Sequence, residues 1–183
     1  MKYFTKSMWR RSQQIGPEAD ENYVHWQRAF QAYRADLEGL HSRVAEMAYT
    51  FFAEADIHDA ELLDLRIVDG SRPAPLGEPA RRWQSLTEYR CESNSRSLDA
   101  HDENVWHIVY SGTRSVLVDF PSDDPLFQRG LGGFEDLGYH ELTDAGGGFL
   151  RHEVLFSSGA VLAFEFKNVA VSSTPARSPR QQS

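Results

Sequence analysis

Two histidine–acid pairs, His58-Asp59 and His101-Asp102, carry the residue types best suited to metal chemistry, and Glu103 follows the second. Imidazole nitrogens and carboxylate oxygens are the donors that zinc and related ions take, so the pairs could close around one ion and activate a water for hydrolysis. The further ligands that metal hydrolases place at helical intervals are missing from the sequence. A plainer role fits His58-Asp59: Asp59 closes a turn and His58 bonds a backbone carbonyl. No metal and no cofactor is therefore expected. His107, His140 and His152 fall in strand-like stretches, where a general base would need a partner that the sequence does not reveal. There is no Gly-x-Ser-x-Gly elbow, and Ser157 and Ser158 read as turn residues. Gly146-Gly147-Gly148 is followed by neither Lys-Ser/Thr nor a helix, so it links strands rather than cradling phosphate. Cys91 sits in no motif of a reactive thiol. No catalytic residue is assigned.

Binding chemistry is better represented. Asp119, Asp123 and Asp124 cluster around one loop, and Glu135, Asp136, Glu141 and Asp144 flank a glycine-containing strand. Trp106, Tyr110, Phe127 and Tyr139 are interleaved with them. Aromatic anchors inside a charged rim are what a tight protein interface uses. The expected partner-binding set is Asp119, Asp123, Asp124, Phe127, Glu135, Asp136, Tyr139 and Glu141. Net charge is segregated in the same sense. Residues 1–55 carry 7 basic and 7 acidic side chains, whereas residues 56–171 carry 10 and 20. That half would repel nucleic acid and steer a basic protein toward itself.

The elements that must position these residues are legible from periodicity. Thr5 is placed to cap a short helix ending near Gln14, and Ile15-Gly16-Pro17 breaks it. Trp26, Phe30, Tyr33, Leu37, Leu40, Val44, Met47 and Phe51 then recur at alternating intervals of four and three. That stripe predicts one long amphipathic helix over 18–54. It would pack on the chain's own sheet or form a seam with a second copy, and the aromatics favour the first. Beyond residue 56 the period becomes two. Strands are expected at 63–67, 82–90, 105–111 and 114–120, the last two joined by a Ser111-Gly112-Thr113 hairpin turn. A strand with a glycine bend is expected over 131–143. A closing hairpin follows, 150–156 and 161–171, turned by Ser157-Ser158-Gly159. Residues 172–183 have no apolar anchor and should be a disordered tail.

Helices first and strands after indicate an α+β fold: a short helix and one long amphipathic helix packed on a C-terminal antiparallel sheet of about six strands. A length of 183 residues with 40% apolar content suits one domain, expected over 1–171, with a helical part to 55 and a β part from 56. One cysteine allows no internal disulfide, and no signal peptide or membrane-spanning run is present, so a cytoplasmic location is expected.

The opening Met1-Lys2-Tyr3-Phe4-Thr5-Lys6 resembles that of an uncharacterised bacterial family. Its members also look like a helical part, a His-Asp junction and closing strands, here Leu150–Phe156 and Phe164-Glu165-Phe166. The pattern is also similar to some immunity proteins of bacterial toxin systems, which neutralise a cognate toxin by binding it. The resemblance implies a non-enzymatic, cytoplasmic protein-binding module, monomer or homodimer, with a basic partner. The alternatives are a metal-dependent hydrolase on the His-Asp pairs and a self-associating structural protein.

Overall fold

Thr5 starts the first helix, α1 (Lys6–Ser12), by accepting the Met8 amide on its hydroxyl at 3.3 Å. This is the N-cap bond expected from the sequence. The arrangement comes from a computed structural model, which describes residues 1–12, 19–68, 84–91, 104–120 and 133–175.

The long helix expected over 18–54 is two helices, α2 (Ala19–Glu38) and α3 (Glu46–Glu54), separated by a 3₁₀ turn at His41–Arg43. The chain leaves α2 at Gly39, the residue of lowest helical preference in the run. The Leu40 and Arg43 amides then bond to Leu37 and Leu40 carbonyls, three residues back, at 2.9 and 2.8 Å. The break lets each half bury its own apolar side. Tyr33 and Leu37 from α2, and Leu40 beyond it, go into the core, and so do Ala48, Phe51 and Phe52 from α3. A straight rod could not keep all of them on a twisted sheet. The heptad pattern fails at Met47, which is 54% exposed. The middle of the stripe is thus packed inside the chain's own core.

Eight strands are described, rather than about six, and they form two antiparallel sheets. One has the order β1 (Glu61–Val68), β2 (Gln84–Cys91), β3 (Asn104–Ser111), β8 (Asn168–Pro175). The other has the order β4 (Ser115–Asp119), β7 (Val161–Phe166), β6 (Phe149–Phe156), β5 (Leu137–Gly146). The α+β class with antiparallel pairing therefore holds. Among the described residues no helix is long and apolar enough to cross a membrane.

The Ser111-Gly112-Thr113 hairpin does not form. β3 and β4 lie in different sheets, and so do β7 and β8. β3 pairs with β8 and β4 with β7, so residues 104–119 and 161–175 make one antiparallel ribbon bent at a corner. At the bend the Lys167 amide bonds Ser111 and the Arg114 amide bonds Glu165, at 3.1 and 2.8 Å. Three residues on one side, Gly112 to Arg114, stand against two on the other, and that excess turns the ribbon. Gly112 has φ +66°, and a Cβ there would meet the Lys167 Cβ at 3.1 Å. The glycine thus makes a sheet-switching corner. The last strand expected over 161–171 is accordingly split at Lys167. Its second half reaches Pro175, four residues into the expected tail; residues 176–183 lie outside the described residues.

The first strand also differs in detail. A bulge between Leu62 and Asp64 shifts its register, and Leu63 and Ile67 are 41% and 54% exposed. The core lies where the two sheets and α3 meet. Ile108 and Tyr110 from one sheet face Leu142, Val154, Leu162 and Phe164 from the other, all fully buried. Phe51 of α3 reaches both sheets, with its ring 5.0 Å from Trp106 and 5.4 Å from His140. Burial of these aromatic and aliphatic faces is the main force holding helix to sheets.

Candidate functional site

Two hollows adjoin at the turn that carries His58 and Asp59. That turn is built by the backbone: the Asp59 amide bonds Leu137, and the Leu137 amide bonds Ala60, each at 2.8 Å. The start of β1 is thereby laid antiparallel to the start of β5, with a bridge between Glu61 and Asp136. The turn of Ser157 and Ser158 holds the same segment from behind. The Ser157 amide bonds the Asp136 carbonyl at 2.7 Å, and the Ser158 hydroxyl bonds the Phe134 carbonyl at 2.8 Å.

The first hollow has a volume of about 330 Å³ and is lined by Asp59, Glu61, Leu62, Phe134, Glu135 and Asp136. Four carboxylates thus surround an apolar floor. Phe134 packs on Phe156 at 4.7 Å and on the half-exposed Phe120 at 5.0 Å. Asp59 and Glu135 have φ of 63° and 58°, and they are the non-glycine residues with positive φ among those described. Such conformations cost of order 1 kcal/mol or more and tend to gather at binding sites.

Several other described carboxylates are ion-paired. Asp36 is held by Lys2, Asp119 by Lys6, Asp144 by Arg43 and Glu165 by Arg114 and Arg151. The Lys2 and Arg43 cations correspondingly hold the Asp36 and Asp144 carboxyls below their ordinary pKa. No described Lys or Arg pairs with Glu61, Glu135 or Asp136. Among the described residues Asp59 pairs with His58, whose Nδ1 lies 2.9 Å from its carboxylate, and Glu135 accepts the Ser157 hydroxyl at 3.3 Å.

The second hollow, of about 400 Å³, lies between α2, the end of α3 and the start of β5. Trp26, Phe30 and Tyr33 of α2, Phe52 of α3, Phe4 and Tyr139 give it aromatic walls. Tyr23, Trp26 and Phe30 stack within 11° of parallel, and Phe4 stacks on Tyr139 at 5.3 Å. Glu54, Asp56 and His58 stand at the edge, and His140 of β5 reaches the lining from the core. Burial lowers the His140 pKa to about 4, so its ring is neutral at pH 7. Behind it, ring centre to ring centre 5.5 Å away, His152 is fully buried and hydrogen-bonded through Nδ1 to the Tyr110 hydroxyl. Burial, with His140 beside it, holds His152 well below its ordinary pKa.

The residues expected from the sequence separate into four groups. Asp59, Glu135 and Asp136 do meet, in the first hollow, and Tyr139 walls the second. Asp119 is exposed on β4 and paired to Lys6 at 3.2 Å, lining neither hollow. Glu141 is a correction, because it is fully buried and cannot meet a partner. Its carboxylate accepts the backbone amides of Lys2, Tyr3 at 2.9 Å and Phe4 at 3.2 Å. Asp123, Asp124, Phe127, His101 and Asp102 lie outside the described residues. Tyr110, read from the sequence as an interface aromatic, is completely buried. Among the described residues no three His, Cys, Asp or Glu side chains converge as a metal site.

Sequence reasoning missed Glu61 and the pocket roles of Trp26, Phe30 and His140. Glu61 was hidden by distance, since its neighbours Glu135 and Asp136 are more than seventy positions away. The aromatics had a visible signal: three large rings at helical spacing near the start of a helix whose charged residues leave it half solvated. No family model, curated protein or solved structure matches the chain.

Proposed function

We propose that the chain is a non-enzymatic protein-binding module that takes a basic side chain of its partner into the carboxylate-lined hollow. The observation that carries this reading is that Glu61, Glu135 and Asp136 line one hollow with no Lys or Arg paired to them among the described residues. Like charges held together without a counter-ion repel, and a partner's Lys or Arg would relieve that repulsion. Phe134, Phe120 and Leu62 supply the apolar patch against which such a side chain's stem packs. The excess of acid over base in residues 56–171 favours a basic partner. Taken with the resemblance of the opening and closing segments, the reading extends to a cytoplasmic immunity protein that occludes a cognate toxin.

The test is affinity capture from bacterial extract with wild type and with a Glu61→Lys/Glu135→Lys double variant, both verified as folded by thermal melting. The expected result is one basic protein retained at near-stoichiometric yield by wild type and lost on charge reversal. Retention of the same protein by both forms would refute the assignment of the hollow. Retention of nothing by wild type would remove the protein-binding reading itself.

A further inference from the structure

The aromatic hollow has a volume of about 400 Å³, within the range of small-molecule sites, and its walls are rings brought together from α2, β5 and the opening segment. The fold itself fixes these walls. The Tyr33 hydroxyl donates to the Phe52 carbonyl at 3.3 Å and accepts the Leu142 amide at 3.2 Å. Phe4 packs edge-on against Tyr33 at 5.5 Å and stacks on Tyr139 at 5.3 Å, while Trp26 and Phe30 stack within 8° of parallel.

The remaining wall is the end of α3 and the turn after it, residues 53–57. A helix ends in partial negative charge on its last carbonyls, and the last turn of α3 holds no basic residue to offset it. Glu54 and Asp56, both exposed, add two formal charges to the same stretch. Among the described residues neither is paired with a Lys or Arg, and the Asp56 carboxylate accepts the His58 backbone amide at 3.2 Å. The lining itself contains no Lys or Arg. Of its two histidines, His140 is neutral at pH 7 and His58 is paired with Asp59. The uncompensated charge at this mouth is therefore negative.

We propose that this hollow binds a small organic cation, an apolar body carrying one ammonium group. The ring-lined walls take the body out of water, and the ammonium stays at the exposed mouth beside Glu54, Asp56 and the end of α3. The same charges disfavour an anion of equal size. The inference does not rest on the protein-binding reading, because Trp26, Phe30, Glu54 and Asp56 are not among the residues that line the carboxylate hollow.

The test uses tryptamine, a cation at neutral pH, with indole-3-ethanol and indole-3-acetate as neutral and anionic analogues of similar size. Each is titrated into the full chain and read by NMR shifts of the Trp26 indole and of the Glu54 and Asp56 backbone amides. Saturable binding of tryptamine is expected, about fivefold tighter than indole-3-ethanol, the effect that one or two exposed ion pairs give, with indole-3-acetate weakest. Added salt should erode the preference. The double variant Glu54→Gln/Asp56→Asn keeps the side-chain shapes and an acceptor for the His58 amide, and should equalise tryptamine and indole-3-ethanol. Trp26→Ala, on a half-exposed helix face, should weaken both. Absence of saturable tryptamine binding would overturn the assignment. So would equal or tighter binding of either analogue by wild type, or a tryptamine preference that survives in the double variant. Shifts confined to Glu61 and Glu135 would place the cation in the carboxylate hollow and overturn it as well.

Discussion

Replacing Glu141 with Ala should destabilise this protein more than any surface substitution. The carboxylate is fully buried on β5 and gathers the backbone amides of Lys2, Tyr3 and Phe4, more than 130 positions away in sequence. A hydrogen bond to a charged acceptor is worth about 1.5–3 kcal/mol. Water can replace the acceptor at Lys2, whose side chain is exposed, but not at Phe4, which is 4% exposed and packed against Tyr33 and Tyr139. Counting the Tyr3 and Phe4 amides in full and Lys2 at little gives a loss of about 3–5 kcal/mol for Glu141→Ala. For a chain of this size that corresponds to a fall of about 8–16 °C in Tm. Glu141→Gln keeps the volume and one acceptor oxygen, and should cost about 1–2 kcal/mol. Urea and thermal melts of the three forms measure the ladder, and NMR of the Tyr3 and Phe4 amides shows whether the segment has come loose. A loss below about 1 kcal/mol for Glu141→Ala, with those amide signals unmoved, would refute the view that this carboxylate fastens the opening segment.

The buried histidines make stability depend on pH. The His140 pKa is about 4 when folded and 6.5 as a model group, so the unfolded chain binds more protons between those values. Stability is then complete above about pH 6.5 and falls as the pH drops toward 4, with His140 alone accounting for about 2 kcal/mol by pH 5. His152 adds to the loss in the same direction. Urea melts at pH 7.5 and 5 check this, and His140→Phe should flatten the difference. Gly138→Ala should cost about 1–3 kcal/mol, because a Cβ there meets the Leu155 carbonyl and the Trp9 ring, each at 3.2 Å. Thermal melting measures it, and a neutral result would mean that Trp9 yields freely.

Local signals governed what the sequence disclosed. The Thr5 cap, the turn at Ser157-Ser158-Gly159 and the change from helical to strand period near residue 56 depend on neighbours within a few positions. Each appears in the fold as expected. Gly39 illustrates the limit, since one glycine in a helical run lowers helix preference only modestly. What ends α2 there is the need to bury Leu37 and Phe51 on the same curved surface.

The site shows the same division. Sequence by itself determined that acids crowd the β half, that the fold is α+β, and that Asp59, Glu135 and Asp136 are chemically alike. Tertiary structure decided which of them act together. Glu141, two positions from Tyr139, shares its face of β5, and the opening segment that folds over that face buries the carboxylate. Glu61, by contrast, is brought against Asp136 by a single bridge between strands. His140 looked like any strand histidine, and only packing could show its Nδ1 buried without a partner beside an aromatic hollow. Such facts rest on contacts between distant segments. Their energy comes from burial and desolvation, which the chain acquires on folding and does not carry in local pattern.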